Sequence, residues 1–245
     1  MKIYRSPELG AKELSEKLSA EKDLEFFYEP MSQENLLKSD YDVIELTEPE
    51  NENILSGMVM LDWNIQTTQA TDAFGKQQNR FIPIHLSSTA FKSFLESKKI
   101  SLDTSRTAVL IGHYSFLATY AVALAKLGFR KIYLVSADEI LFTEKISALK
   151  KYLFDVELKQ ISFDEMANIS ELSSLLVTDF LLGKSAELVE ILTYFNFVAE
   201  GAVFFDLQNY LDDSLSSEAE KASMKVLDSV EFHLHKYRFY QKNLK

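Results

Sequence analysis

The chain contains no cysteine, which excludes disulfides, thiolate metal ligands and cysteine nucleophiles. Glycine and proline are scarce too, at 7 and 4 in 245 residues. Turns must therefore be built from Asn, Asp, Ser and Lys, and elements follow one another without long linkers. No apolar run approaches the ~20 residues of a bilayer crossing; the stretch FLATYAVALA at 116–125 is stopped by Lys126. The opening segment MKIYRSPELGAKELSEKL lacks the continuous apolar core of a signal peptide, so the expectation is a soluble, cytoplasmic protein. Basic clusters are missing as well: KLGFRK at 126–131 and HKYRFYQKNLK near the end are short and read as solvated helix ends. With 26 Lys+Arg against 37 Asp+Glu the formal charge is -11, a field that repels nucleic-acid phosphates and anionic lipid. Neither nucleic acid nor membrane is expected as a partner.

What is present is core-forming material, 47% hydrophobic and 12% aromatic, enough for one large or two small domains. The spacing of Leu9, Leu14 and Leu18 predicts a helix over 8–22, and LEFFYEP a strand ended by Pro30. DYDVIEL, SGMVMLDWNIQ and NRFIPIHL, the last interrupted by Pro83, read as further strands. TAFKSFLESKKI reads as a helix with Phe91, Phe94 and Leu95 on one side, leading into the polar junction SLDTSR. Beyond it, the apolar runs TAVLIG, IYLVS, VELKQI, SLLVTDF and GAVFFDL alternate with helical segments at 115–127 and 139–153, a short piece, 185–197, and a long terminal helix over 216–241. Such alternation predicts a doubly wound parallel sheet covered on both faces, with ligands bound beyond its carboxyl edge. The expected class is thus α/β: a small mixed α/β amino-terminal domain (1–88), a connecting helix (89–105), a Rossmann-like domain (106–215) and a terminal helix (216–245). That last helix carries more apolar perimeter than one face needs, so it packs back on the first domain or pairs with a second copy as a homodimer.

The most informative stretch is TAVLIGHYSFLATYAVALAKLGFRKIYLV at 107–135. Leu117, Tyr120, Ala121, Leu124 and Leu127 form one helical stripe, and Gly128 reads as the residue that ends the helix. Strand, turn, helix and strand in this order, continuing into Ser136, Ala137 and Asp138, resemble the coenzyme unit of the shikimate dehydrogenase family. In that family a Gly-Ala-Gly-Gly-Ala turn precedes an Ala-rich helix, and the next strand ends Asn-Arg-Thr. Weaker similarities run outward in the same order. Ser6-Pro7 stands at a substrate-binding Ser-x-Ser-Pro, ELTEPEN (45–51) at Asn-Val-Thr-x-Pro-x-Lys, HLSSTAFKSFL (85–95) at Asn-Thr-Asp-Gly-x-Gly-Phe, and AVFFDLQNY (202–210) at a late strand ending Asp-x-x-Tyr-Asn-Pro.

The resemblance implies a cofactor site and a catalytic pair that this chain spells differently. Of the glycines that permit the tight turn, the pyrophosphate's approach and close helix packing, only Gly112 remains. His113 follows, and Tyr114 and Ser115 stand at the other two glycine positions. The Tyr114 ring is expected to occupy pyrophosphate volume, and a Cβ would cost roughly 1–2 kcal/mol if the turn were left-handed. The turn is either a packed strand-to-helix loop or a rearranged phosphate nest. The arginine that grips the 2′-phosphate of NADP is replaced by Ala137 between Ser136 and Asp138. Asp138 is an N-cap or an acceptor for a ribose hydroxyl; no cofactor is expected, and NAD fits better than NADP if one binds. The family's lysine and aspartate, which handle the proton of the alcohol, correspond to Asn51 and Ser87. Its first cleft asparagine becomes Glu45, a carboxylate expected to repel a carboxylate substrate.

Other constellations carry less. His233 and His235 lie about 200° apart on a helix, a surface-plus-core pair and no chelate, so no metal is expected. His113 is the best lone candidate for a residual active site, although no G-x-S-x-G elbow occurs. The acidic run ELTEPENEN reads as solvent-facing, with an interaction loop or weak cation site as the alternative. These readings together point to a catalytically inactive, shikimate-dehydrogenase-like pseudoenzyme that binds a protein or small molecule. The alternative is a divergent NAD(P)-dependent oxidoreductase of shikimate- or quinate-like substrates.

Overall fold

The computed structural model describes residues 1–58, 62–136, 139–179 and 196–244. Two sheets organise them. In the first, β1 (Lys2–Arg5) lies between β2 (Glu25–Phe27) and β3 (Val43–Glu45), parallel to both. Antiparallel β4 (Ala73–Gln77) and β5 (Arg80–Ile84) extend it beyond β3. The two residues linking β4 to β5, Gln78 and Asn79, have φ of 46° and 62°, the left-handed sense that a two-residue hairpin needs. Pro83 sits on the edge strand β5, where a missing N–H is tolerated.

The helices of this half depart from the periodicity reading at identifiable places. Gly10, at φ 64°, separates a 3₁₀ turn (Pro7–Leu9) from α1 (Ala11–Lys17), so the predicted single helix over 8–22 is broken and shorter. Between β2 and β3 lies α2 (Gln33–Lys38), capped by Ser32. ELTEPENEN is not a solvent loop: Thr47 and Glu50 form a capping box that starts α3 (Glu48–Ser56), with Pro49 in its first turn. SGMVMLDWNIQ, expected as a strand, carries the end of α3 and then α4 (Trp63–Thr68), started by Asp62 accepting from the amides of Asn64 and Ile65. An aspartate cap on a local backbone overrode the apolar run. Helix α5 (Leu86–Ser97) leads away from β5 and buries Phe91, Phe94 and Leu95.

The second sheet is parallel throughout, in the order β11-β10-β9-β6-β7-β8. Its strands are β6 (Thr107–Gly112), β7 (Lys131–Ser136), β8 (Glu157–Ile161), β9 (Ser173–Asp179), β10 (Val198–Asp206) and a short β11 (Lys225–Val226). Strand β6 is buried at every position, as a central parallel strand must be. Helix α6 (Tyr114–Leu127) is buried on almost all sides, not along one stripe, because α5, α4 and α7 (Glu139–Tyr152) cover the face turned from the sheet. Gly128, at φ 111°, ends α6 as a C′ residue. The long terminal helix of the sequence reading is two helices, α8 (Ser214–Lys221) and α9 (Ser229–Asn243), with β11 between them. Ser223, at φ 60°, and Asp228, whose carboxylate caps α9, make that break. The helix expected at 185–197 falls largely on 180–195, outside the described residues. No helix among the described residues is long and apolar enough to cross a membrane.

Candidate functional site at the junction of the two sheets

The chain runs from β6 to β7 and β8 on one side and then returns to β9 on the other, so β6 and β9 flank the switch point of the sheet. Gly112 and Asp179, the last residues of those strands, are in register. Crevices open at such points because the loops diverge. Here the crevice is a cavity of about 90 Å³, closed from the opposite side by the carboxyl ends of β1 and β3, by α3, by the turn before β4 and by α9.

Its charged wall is centred on Glu45. This carboxylate, 2% exposed, pairs with both Arg5 and Lys236, which are equally buried, and accepts from the Tyr237 hydroxyl at 2.9 Å. Arg5 also donates to Tyr210 Oη at 2.9 Å and to the Leu9 carbonyl at 3.1 Å. Burial works against the charge of Glu45, yet the adjacent Lys236 and Arg5 hold its pKa below the ordinary value; burial lowers that of Lys236. The expectation that Glu45 repels anions is therefore corrected: two cations neutralise it.

Asn51 and Ser87 both line the cavity. The Asn51 amide donates to the carbonyls of Leu46 and Thr71 at 3.1 and 3.4 Å, leaving Oδ1 without a protein partner. Ser87 lies in the first turn of α5, whose amides at Leu86, Ser87 and Ser88 are bound by the carboxylate of Asp72 at 2.5, 3.0 and 3.3 Å. Burial lifts the Asp72 pKa to about 7, against the pull of those amides. Sequence reasoning passed over Asp72 because its partners lie 14 to 16 residues away.

The turn after β6 behaves differently from the expectation. Tyr114 does not fill the phosphate position. It is the first residue of α6, its hydroxyl donates to the Thr68 carbonyl at 2.7 Å, and its ring packs on Phe142 with the Lys145 ammonium 4.9 Å from its centroid. Tyr114 and Ser115 are helical, so neither carries the left-handed strain considered above. Phe116 and Glu48 lie against the turn instead. A Cβ on Gly112 would come within 2.7 Å of the Phe116 ring, and the Ser115 amide donates to the Glu48 carboxylate at 3.2 Å. Glu48 also faces His113 Nδ1 at 3.8 Å. Burial raises the Glu48 pKa, with His113 and the Ser115 amide opposing. Glu52, one turn along α3, pairs with Lys145 of α7. Glu48 of the first half thus sits on the N-terminus of α6, where a helix favours anions.

Ser136 is buried at the end of β7, beside Gly112 in register. Ala137 and Asp138 lie outside the described residues. His233 is buried and its Nε2 contacts the Leu207 carbonyl at 3.2 Å, whereas His235 is half-buried against Ser93. No group of metal-binding side chains occurs among the described residues. Lys236 and Arg5 were missed because a lysine among aromatic residues and an arginine in an edge motif give no local sign of a partner about two hundred residues distant.

A parallel sheet whose switch point opens on a crevice closed by a second α/β unit defines the two-domain Rossmann-type class. More particularly, the fold is that of the shikimate dehydrogenases. The shikimate 5-dehydrogenase of Listeria monocytogenes, solved with shikimate and NAD, superposes with a TM-score of 0.68 at 12% identity over 96% of this chain and 88% of that one. The enzyme of Thermus thermophilus, solved with NADP(H) and shikimate, gives 0.65 at 15% identity, covering 99% and 93%. The ligand-free 5-ketofructose reductase of a Gluconobacter strain gives 0.65 at 12%, covering 100% and 92%. No protein-family model and no curated protein matches the sequence.

Proposed function

We propose that this chain is a pseudoenzyme on the shikimate dehydrogenase fold, a binding module whose interdomain cavity takes a small molecule without coenzyme chemistry. The observation that carries the reading is the Glu48 carboxylate on the Ser115 amide, with the Phe116 ring against Gly112. Both occupy the seat where a pyrophosphate would lie on the helix N-terminus, so the residues present do not suit a dinucleotide. Asn51 and Ser87, at the positions of the family's proton-handling pair, offer no base near neutral pH. The buried charges Arg5, Glu45 and Lys236 are spent on one another.

The test is direct. A ligand that binds only the folded state raises its melting temperature. The expected result is unchanged melting in millimolar NAD or NADP and no reduction of NADP with shikimate or quinate. A cofactor-dependent rise in melting temperature, or turnover abolished by one cavity substitution, refutes the reading.

A further inference from the structure

Among the described residues, six buried side-chain polar atoms lack a hydrogen-bond partner. Glu45 Oε1 is ion-paired with Lys236 and the Thr178 hydroxyl serves Asp206; the other four, Asn51 Oδ1, Tyr120 Oη, Gln208 Oε1 and His233 Nδ1, all belong to residues lining the same cavity. Native interiors rarely leave such atoms unsatisfied, and a cluster around one space points to something that bonds there.

Their chemistry is fixed by what the rest of each side chain does. The Asn51 amide nitrogen is already donating to two carbonyls, so its oxygen is the free acceptor. Gln208 Nε2 donates to Asp179 at 2.9 Å, which again leaves an acceptor oxygen. His233 Nε2 faces the Leu207 carbonyl and must carry the hydrogen; Nδ1 is then a bare lone pair, and burial keeps the ring neutral by pushing its pKa well below the ordinary value. Tyr120 contributes a hydroxyl that both donates and accepts. These four atoms therefore ask for several O–H or N–H donors and offer one.

Charge narrows the class further. Arg5 and Lys236 share Glu45 and repel a second cation. Glu48, Asp72 and Asp179 stand around the same space and oppose a carboxylate. A ligand that satisfies neutral acceptors while avoiding both penalties is uncharged and rich in hydroxyl groups. At roughly 10–15 Å³ per water position, the cavity holds about six to nine non-hydrogen atoms. Resting on the coenzyme-free reading above, we infer that the cavity binds a small uncharged polyol, its hydroxyls donating to Asn51, Gln208 and His233 and accepting from Tyr120.

Polyols stabilise most proteins by exclusion from the surface, so the assay must read saturation. Titration calorimetry with glycerol, erythritol and threitol, with shikimate and quinate as carboxylate-bearing comparators, is run on the full chain and on Tyr120→Phe, which removes only an unpartnered hydroxyl. The expected result is saturable binding of at least one polyol, weakened about tenfold by Tyr120→Phe, with no saturable heat from the carboxylates. Absence of saturable binding by all three polyols up to tens of millimolar, tighter binding of a carboxylate, or unchanged affinity in Tyr120→Phe overturns the inference. None of these outcomes bears on coenzyme binding or on turnover, which decide the preceding reading.

Discussion

Replacing Glu45 by leucine strips the buried charge cluster of the carboxylate that pairs with both of its cations. Arg5 cannot give up its proton and keeps only the Tyr210 hydroxyl and the Leu9 carbonyl. Lys236 can respond by deprotonating, since burial already lowers its pKa. The Tyr237 hydroxyl loses its acceptor as well. Breaking a buried pair by removing one side costs about 3–5 kcal/mol, and Arg5 carries most of that here. For a chain of this size each kcal/mol moves the midpoint by roughly 2–4 °C, so Glu45→Leu should melt about 6–20 °C below the parent. Lys236→Met leaves Glu45 with Arg5 and Tyr237 and should cost at least about 1.4 kcal/mol less than Glu45→Leu, a tenfold difference in equilibrium constant. The triple change Arg5→Met, Glu45→Leu, Lys236→Met removes every charge together and should recover at least half of the loss. Urea denaturation of the four proteins reads all three quantities. A Glu45→Leu cost below about 1 kcal/mol, or equal costs for Glu45→Leu and Lys236→Met, would refute the idea that Glu45 neutralises both cations.

Further outcomes follow from other contacts. Burial raises the pKa of Asp206 to about 7, against the Gln208 amide and the Thr178 hydroxyl. Its folded pKa exceeds the ordinary 3.8, so the folded chain holds the extra proton and loses stability as pH rises from that value through about 7. Thermal melts should therefore place Asp206→Asn above the parent at pH 8 and level with it near pH 4; a constant difference at the two pH values would exclude this titration. Glu48→Ala frees the Ser115 amide and should lower stability by about 1 kcal/mol. The same variant should gain a melting shift from inorganic phosphate that the parent lacks, and no such gain would show that the helix terminus is not an anion seat. Tyr114→Phe should cost about 0.5–1.5 kcal/mol through the lost bond to Thr68 in urea titrations, whereas Tyr114→Gly should leave NAD affinity undetectable, because the ring lies outside the cavity.

Much of the parallel sheet was legible because its information is local. The stripe from Leu117 to Leu127, the glycine at 128 and the apolar runs on either side each state their structure within a few residues. The shikimate dehydrogenase resemblance came from that same unit and from landmarks in order along the chain. Helix α3 was misread because charge density suggested solvent, although Thr47 and Glu50 spell a capping box. The two-helix ending was hidden because the apolar residues on both sides of β11 keep helical spacing; only the Asp228 cap marks the restart. The cavity was the least readable part. Its key pairs, Glu45 with Lys236 and Asp72 with the start of α5, are made by topology, and nothing near Asp72 in sequence announces a carboxylate aimed at three distant amides.

Helix α9 gives the cavity Lys236 and His233 and anchors Glu45 through Tyr237, which lies 192 residues further along. During synthesis at about 5–20 residues per second, the first sheet would wait roughly 10–40 s for the residues that neutralise and cover it. Glu45 and Arg5 must spend that interval hydrated or in provisional company. Helix α9 therefore acts as a closing stitch, and the cavity should take its described form only once the residues through Tyr237 have left the ribosome.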